Sequence, residues 1–247
     1  RLKATYYGSF NPDTSSKKWS DDIKNAFTTA WGKGVALPFV YLGTDTPEIS
    51  GTDTKNIKLT GSTWNKQVLT VAKEELEGDG WKVSTTHNSY DYALAAYKTF
   101  TGDDTDENSK GTTIYLYIYR ESSSDSSKII LQSYYAAPLK ATDLTVTDWE
   151  TKSADIKSAL KNHDLPFFAV PVAPSSTLST SSDYGIDIYT YSLPSNGANI
   201  NYLLKAKEQF DALEGAKTNF VLAGARNSSN LNQFDATLYA ELPTSDG

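Results

Sequence analysis

Leu37-Pro38-Phe39-Val40-Tyr41-Leu42 returns later in the chain as Leu165-Pro166-Phe167-Phe168-Ala169-Val170, 128 residues on (165 minus 37). Thr5-Tyr6-Tyr7 and Ser133-Tyr134-Tyr135 keep the same offset. So do Tyr92-Ala93-Leu94-Ala95-Ala96-Tyr97-Lys98 and Phe220-Val221-Leu222-Ala223-Gly224-Ala225-Arg226. Other echoes drift by a few residues, as loop insertions cause. Ser20-Asp21-Asp22-Ile23-Lys24 resembles Ser153-Ala154-Asp155-Ile156-Lys157, and Ala72-Lys73-Glu74-Glu75-Leu76 resembles Ala206-Lys207-Glu208-Gln209-Phe210. Near the ends of the halves, Leu116-Tyr117 matches Leu238-Tyr239. One short match is chance, but a series in the same order reads as an internal duplication. The expectation is a first repeat over 1–121, a Ser-rich linker over 122–127, and a second repeat over 128–247, each of ordinary domain size.

Within each repeat the periodicities give one order of elements. Residues 2–10 read as a strand. Ser20, followed by Asp21 and Asp22, reads as the N-cap of a helix whose apolar positions are Ile23, Ala26, Phe27 and Ala30. Residues 35–42 form a nearly continuous apolar run, the mark of a strand covered on both faces, with Pro38 at its start or at a bulge. Residues 44–54 read as a polar loop, 56–60 as a short strand, and Ser62 or Thr63 as the cap of a second helix through Val68, Leu69, Ala72 and Leu76. Residues 81–89 are open between an insertion and a helix extension. Residues 90–100 and 112–121 read as a hairpin. The second half repeats the order, with strands at 128–137, 165–172, 185–193, 220–226 and 234–242 and helices at 149–161 and 199–213. The fold class that follows is α+β: two tandem ferredoxin-like sandwiches, each β-α-β-β-α-β plus one strand.

Composition excludes several functions. Twenty-three basic side chains against 30 acidic give a net charge of −7 and a pI near 4.9. That is the wrong sign for nucleic acid or an anionic membrane surface. No apolar run reaches the ~20 residues that span a bilayer. With no Cys there is no disulfide, thiol nucleophile or thiolate metal site, and no cofactor is implied. A Cys-free chain rich in Ser, Thr, Asp, Asn and Tyr resembles exported, wall-associated proteins of Gram-positive bacteria. Arg1-Leu2-Lys3 opens directly into a strand-like run without an initiator Met, which reads as a mature or excised segment.

Period two separates Ile114, Leu116 and Ile118 from Tyr115, Tyr117 and Tyr119, and Tyr189 and Tyr191 behave likewise against Ile186 and Ile188. A tyrosine face offers a stacking platform for sugar rings or a partner protein, or it is an internal packing layer. Asp104, Asp106 and Asn108 match the alternating start of a calcium loop, but Ser109 stands where that loop needs Gly and Tyr115 where it needs Glu. His87 and His163 fall at unmatched places in the two repeats, and no Gly-x-Ser-x-Gly elbow is present. Glu74, Glu75 and Glu77 lie on a helix whose other face is apolar. The function these readings imply is a non-catalytic module of an exported bacterial surface protein, for adhesion, carbohydrate or protein binding, or structural use. The alternatives are a hydrolase or a small-ligand-binding protein with its site, involving acids or His87, in a cleft between the repeats.

Overall fold

A computed structural model describes residue 10 and residues 12–53, 55–87, 90–103, 106, 109–139, 178–183, 186–191, 200–223 and 235–241. The chain divides into two compact units. One is built on residues 1–136 with 222–235, the other on 137–221 with 236–247. The described residues form a mixed α+β structure with three helices and a six-stranded antiparallel sheet.

In the first unit, Ser20 caps α1 (Asp21–Trp31), its hydroxyl accepting the Ile23 amide at 3.4 Å, while Asp21 and Asp22 face the positive end of the helix dipole. Ile23, Phe27 and Trp31, spaced by four, are its buried stripe. The helix stops at Gly32, whose φ of +93° favours glycine.

Residues 35–42 were expected to be a strand and are not one. Val35, Leu37, Val40 and Leu42 are buried as the apolar run requires, but no ladder forms. Pro38 has no N–H to give. The Leu37 and Pro38 carbonyls accept from the Trp19 indole at 3.1 and 2.8 Å. The Tyr41 amide donates to Glu75 Oε2 at 2.7 Å, and the Leu42 carbonyl accepts the Ser62 amide at 2.9 Å. The Trp19 and Glu75 side chains and the Ser62 amide thus take up backbone groups that a neighbouring strand would otherwise pair.

The loop expected over 44–54 contains β1 (Glu48–Asp53), paired with β2 (Asn56–Thr63) through an irregularity between Ile49 and Gly51. Asn65, rather than Ser62 or Thr63, caps α2 (Lys66–Gly78), which buries Val68, Leu69, Ala72 and Leu76 as its spacing predicts. The open stretch after it is β3 (Lys82–His87), an edge strand paired with β4 (Tyr92–Thr99). β5 (Thr113–Arg120) and β6 (Lys128–Ala136) complete the sheet in the order β1-β2-β6-β5-β4-β3. One face carries Ile57, Leu59, Leu94, Leu116, Ile118 and Leu131 into a core with α1, α2 and residues 35–42.

Residues 122–127 do not lead out of this sheet. They turn β5 back into β6: the Glu121 amide donates to the Lys128 carbonyl at 3.0 Å, and the Ser127 amide to the Ser124 carbonyl at 2.9 Å. The strand read as the opening of a second repeat is therefore hydrogen-bonded between β5 and β2.

In the second unit, β7 (Leu178–Asp183) pairs with β8 (Ile186–Tyr191) as a hairpin. α3 (Ile200–Asp211) follows, with Asn201 buried and its side-chain amide donating to the Ala137 carbonyl at 2.7 Å. β9 (Lys217–Ala223) pairs with β10 (Asp235–Glu241), all but residues 222–223 and 235 of the two strands falling in this unit. β7 was not foreseen. The helix expected over 149–161 and the strand over 165–172 lie outside the described residues, as does the strand expected over 2–10 except for Phe10, which is not in a strand. No helix among those described is long and apolar enough to cross a membrane.

Candidate binding surface at the Asp91 end of the sheet

The alternation on β5 holds. Ile114, Leu116 and Ile118 are fully buried in the helix-side core, which puts Tyr115, Tyr117 and Tyr119 on the other face. That face is not open. Tyr117 and Tyr119 are each 2% exposed, and Tyr115 is half-buried. Their rings pack on each other: Tyr117 and Tyr119 lie 4.8 Å apart, and Tyr115 stacks at 5.2 Å on Tyr134, its cross-strand partner on β6. Burial raises all of these phenols, with Tyr119 pushed up to about 12 by desolvation and then by the Glu121 carboxylate. They are neutral packing groups at any physiological pH. Tyr189 and Tyr191 lie on β8, where the backbone alone is described.

Asp104, Asn108 and His163 lie outside the described residues. Asp106 is half-buried. Its amide donates to the Asp103 carbonyl, and its Oδ2 stands so close to Gly32 that an added Cβ there would sit 2.7 Å from it. Ser109, buried beside it, donates to the Asp106 carbonyl at 2.7 Å and accepts the Asp103 amide at 3.0 Å. Among the described residues no group of three metal-ligating side chains comes together. Glu74 and Glu77 are exposed, while Glu75 turns inward to Tyr41.

What the fold does assemble is a cluster at the end of the sheet where β2, β3 and β5 finish and β4 and β6 begin. Asp91 is its hub. Its Oδ2 accepts the Trp64 indole N–H at 3.1 Å and lies 3.8 Å from Arg120 Nη1, and its Oδ1 accepts the Tyr92 amide at 2.8 Å. Arg120 in turn donates to the Ser123 and Ser124 carbonyls at 3.2 and 2.9 Å, and the Trp64 amide donates to the Ser127 carbonyl at 2.7 Å. One carboxylate thus ties together the β2–α2, β3–β4 and β5–β6 connections.

On this frame stand Tyr90 and Tyr92, 37% and 38% exposed, with His87 exposed beside them. His87 and Tyr92 are register partners, so their rings meet at 4.1 Å. The Lys66 ammonium, on the first residue of α2, sits 3.6 Å from the centre of the Tyr92 ring, inside cation–π range. The signal in the sequence was Tyr90-Asp91-Tyr92. Read as the start of a strand, it buried the cluster in a periodicity. In the structure β4 begins only at Tyr92, so Tyr90 and Asp91 belong to the turn.

Chemically, the arrangement offers flat apolar surface with polar edges beside a fixed carboxylate, a guanidinium and an ammonium. That combination suits a hydroxyl-rich ligand whose C–H faces stack on rings. No protein-family model matches this chain, and no match is found among curated proteins or among solved structures.

Proposed function

We propose that this chain is a non-catalytic binding module of an exported bacterial surface protein, built from two tandem ferredoxin-like repeats, and that it engages carbohydrate through the Tyr90, Tyr92, His87 and Lys66 surface. The observation that carries the reading is the pair of exposed tyrosines on a frame held by Asp91. Rigid aromatic contact area costs little ordering on binding, which is why tyrosine recurs at recognition sites. Asp91 already accepts from the Trp64 indole and the Tyr92 amide, with Arg120 alongside. It therefore serves as an orienting group rather than an acid–base catalyst.

The repeat reading draws support from element order. β1-β2-α2 followed by the β4–β5 hairpin is matched by β7-β8-α3 followed by β9–β10, with β3 as the extra strand. The echoing strings at 72–76 and 206–210 fall in α2 and α3. The reading of export and a wall location rests on the compositional likeness alone, and tandem modules suit avidity on a repetitive polymer.

The test is a screen of neutral oligosaccharides and cell-wall glycans against the wild type and the Tyr92→Ala and Tyr90→Ala variants. Loss of one exposed tyrosine should weaken binding by about tenfold or more with an unchanged melting temperature. A Tyr115→Phe change on the packed face should leave binding as it was. If no glycan binds, or if both alanine variants bind like the wild type, the reading fails.

A further inference from the structure

A concavity lies on the first unit where the chain enters α1, lined by none of the residues of the Asp91 cluster. It holds about 260 Å³ and is lined by Lys17, Lys18 and Lys24 together with Trp19, Leu37 and Phe39. Among the described residues not one carboxylate contributes to its lining, in a chain with 30 acids and 23 bases. The aromatic wall is fixed. The Trp19 indole N–H is committed to the Leu37 and Pro38 carbonyls, and its ring lies 4.9 Å from Phe39 and 5.9 Å from Phe27. Lys17 and Lys24 point their ammonium groups to Asp45 and Asp21 outside the lining. Lys18 is exposed and makes no hydrogen bond or ion pair with any described residue.

We infer that this pocket is a binding site for a small aromatic carboxylate, with the ring against the half-buried Phe39 beside the largely buried Trp19 and the carboxylate at Lys18. Charge complementarity selects the anion through Lys18, since a neutral ring would leave that ammonium unused while Lys17 and Lys24 are already paired with Asp45 and Asp21. The apolar wall selects the ring, since a bare anion would gain nothing from Trp19 and Phe39. The lysines are solvated, so the interaction is salt-sensitive and of modest strength.

The experiment is an amide-resolved NMR titration of the full chain with benzoate, benzyl alcohol and inorganic phosphate. Benzoate should give saturable shifts at residues 17–28 and 36–39, with benzyl alcohol and phosphate each weaker by about tenfold or more. Lys18→Glu should weaken benzoate by about tenfold without altering the melting temperature, and Lys18→Arg should keep it. The inference is overturned by the absence of saturable shifts, by equal binding of benzyl alcohol or of phosphate, or by a Lys18→Glu variant that binds benzoate normally. None of these outcomes bears on the glycan surface, whose residues lie elsewhere.

Discussion

Burial holds the Tyr119 phenol at about 12, above its ordinary 10.0, so the folded chain keeps that proton where the unfolded chain has released it. The contribution of Tyr119 to stability is complete below pH 10 and lost as pH rises toward 12, at about 1.4 kcal/mol per pH unit. A Tyr119→Phe variant should therefore lose less stability than the wild type across that window, measured by urea unfolding at pH 9, 10 and 11. Parallel slopes would show that Tyr119 is wet. Glu75 runs by the same sign at the acid end. Burial raises its carboxyl above 4.5, opposed by the Tyr41 amide and the Thr14 hydroxyl and reinforced by Glu74. Its favourable share is present below pH 4.5 and declines as pH climbs through the raised value. Glu75→Gln keeps an acceptor for Tyr41 and removes the cost of burying charge. At pH 7 it should be at least as stable as the wild type, with a flatter profile between pH 4 and 6; a loss of stability would contradict this. At this scale sequence was partly legible. Alternation assigned each β5 tyrosine to its face, but whether that face is wet depends on what packs there.

Among the elements, the informative case is the segment 35–42, apolar like a strand yet held by Trp19, Glu75 and Ser62. It crosses β2 at Gly61, where an added Cβ would lie 2.1 Å from the Leu42 carbonyl oxygen and 2.6 Å from the Leu42 Cβ. Backbone on backbone cannot yield as a flexible side chain can. Gly61→Ala should cost about 3 kcal/mol or more, read as a lowered denaturation midpoint. Gly51, on the other strand of the same hairpin, has only the Lys58 Cβ at 3.7 Å, so Gly51→Ala should be nearly neutral. Comparable losses at both positions would mean that strand propensity, not the crossing, decides. Helices α1 and α2 were legible from their stripes and, for α1, from its cap. The 35–42 run was misread because apolar periodicity reports burial, whereas strand identity depends on which donors meet its backbone.

For the whole molecule the decisive strand is β6, which pairs β2 on one side and β5 on the other. A chain ended at Glu121, where composition suggested the first repeat closes, loses that strand and exposes two sheet edges. A chain ended at Ala136 retains it. Thermal unfolding of the two fragments should be cooperative for the longer one and broad or absent for the shorter. Cooperative unfolding of the shorter fragment would place β6 outside the folding unit.

By itself the sequence determined the α+β class, the two amphipathic helices of the first unit and the two-faced character of β5, because each depends on spacing within one short segment. Tertiary structure alone decided that the serine-rich stretch is a turn rather than a linker. It also decided that the β5 tyrosines are packed while Tyr90 and Tyr92 are open, and that Asp91 gathers Trp64 and Arg120. The turn's own hydrogen bonds are local, but the β2–β6 pairing and the Asp91 cluster join residues far apart in the chain, and no local period carries information about a partner that only folding brings near.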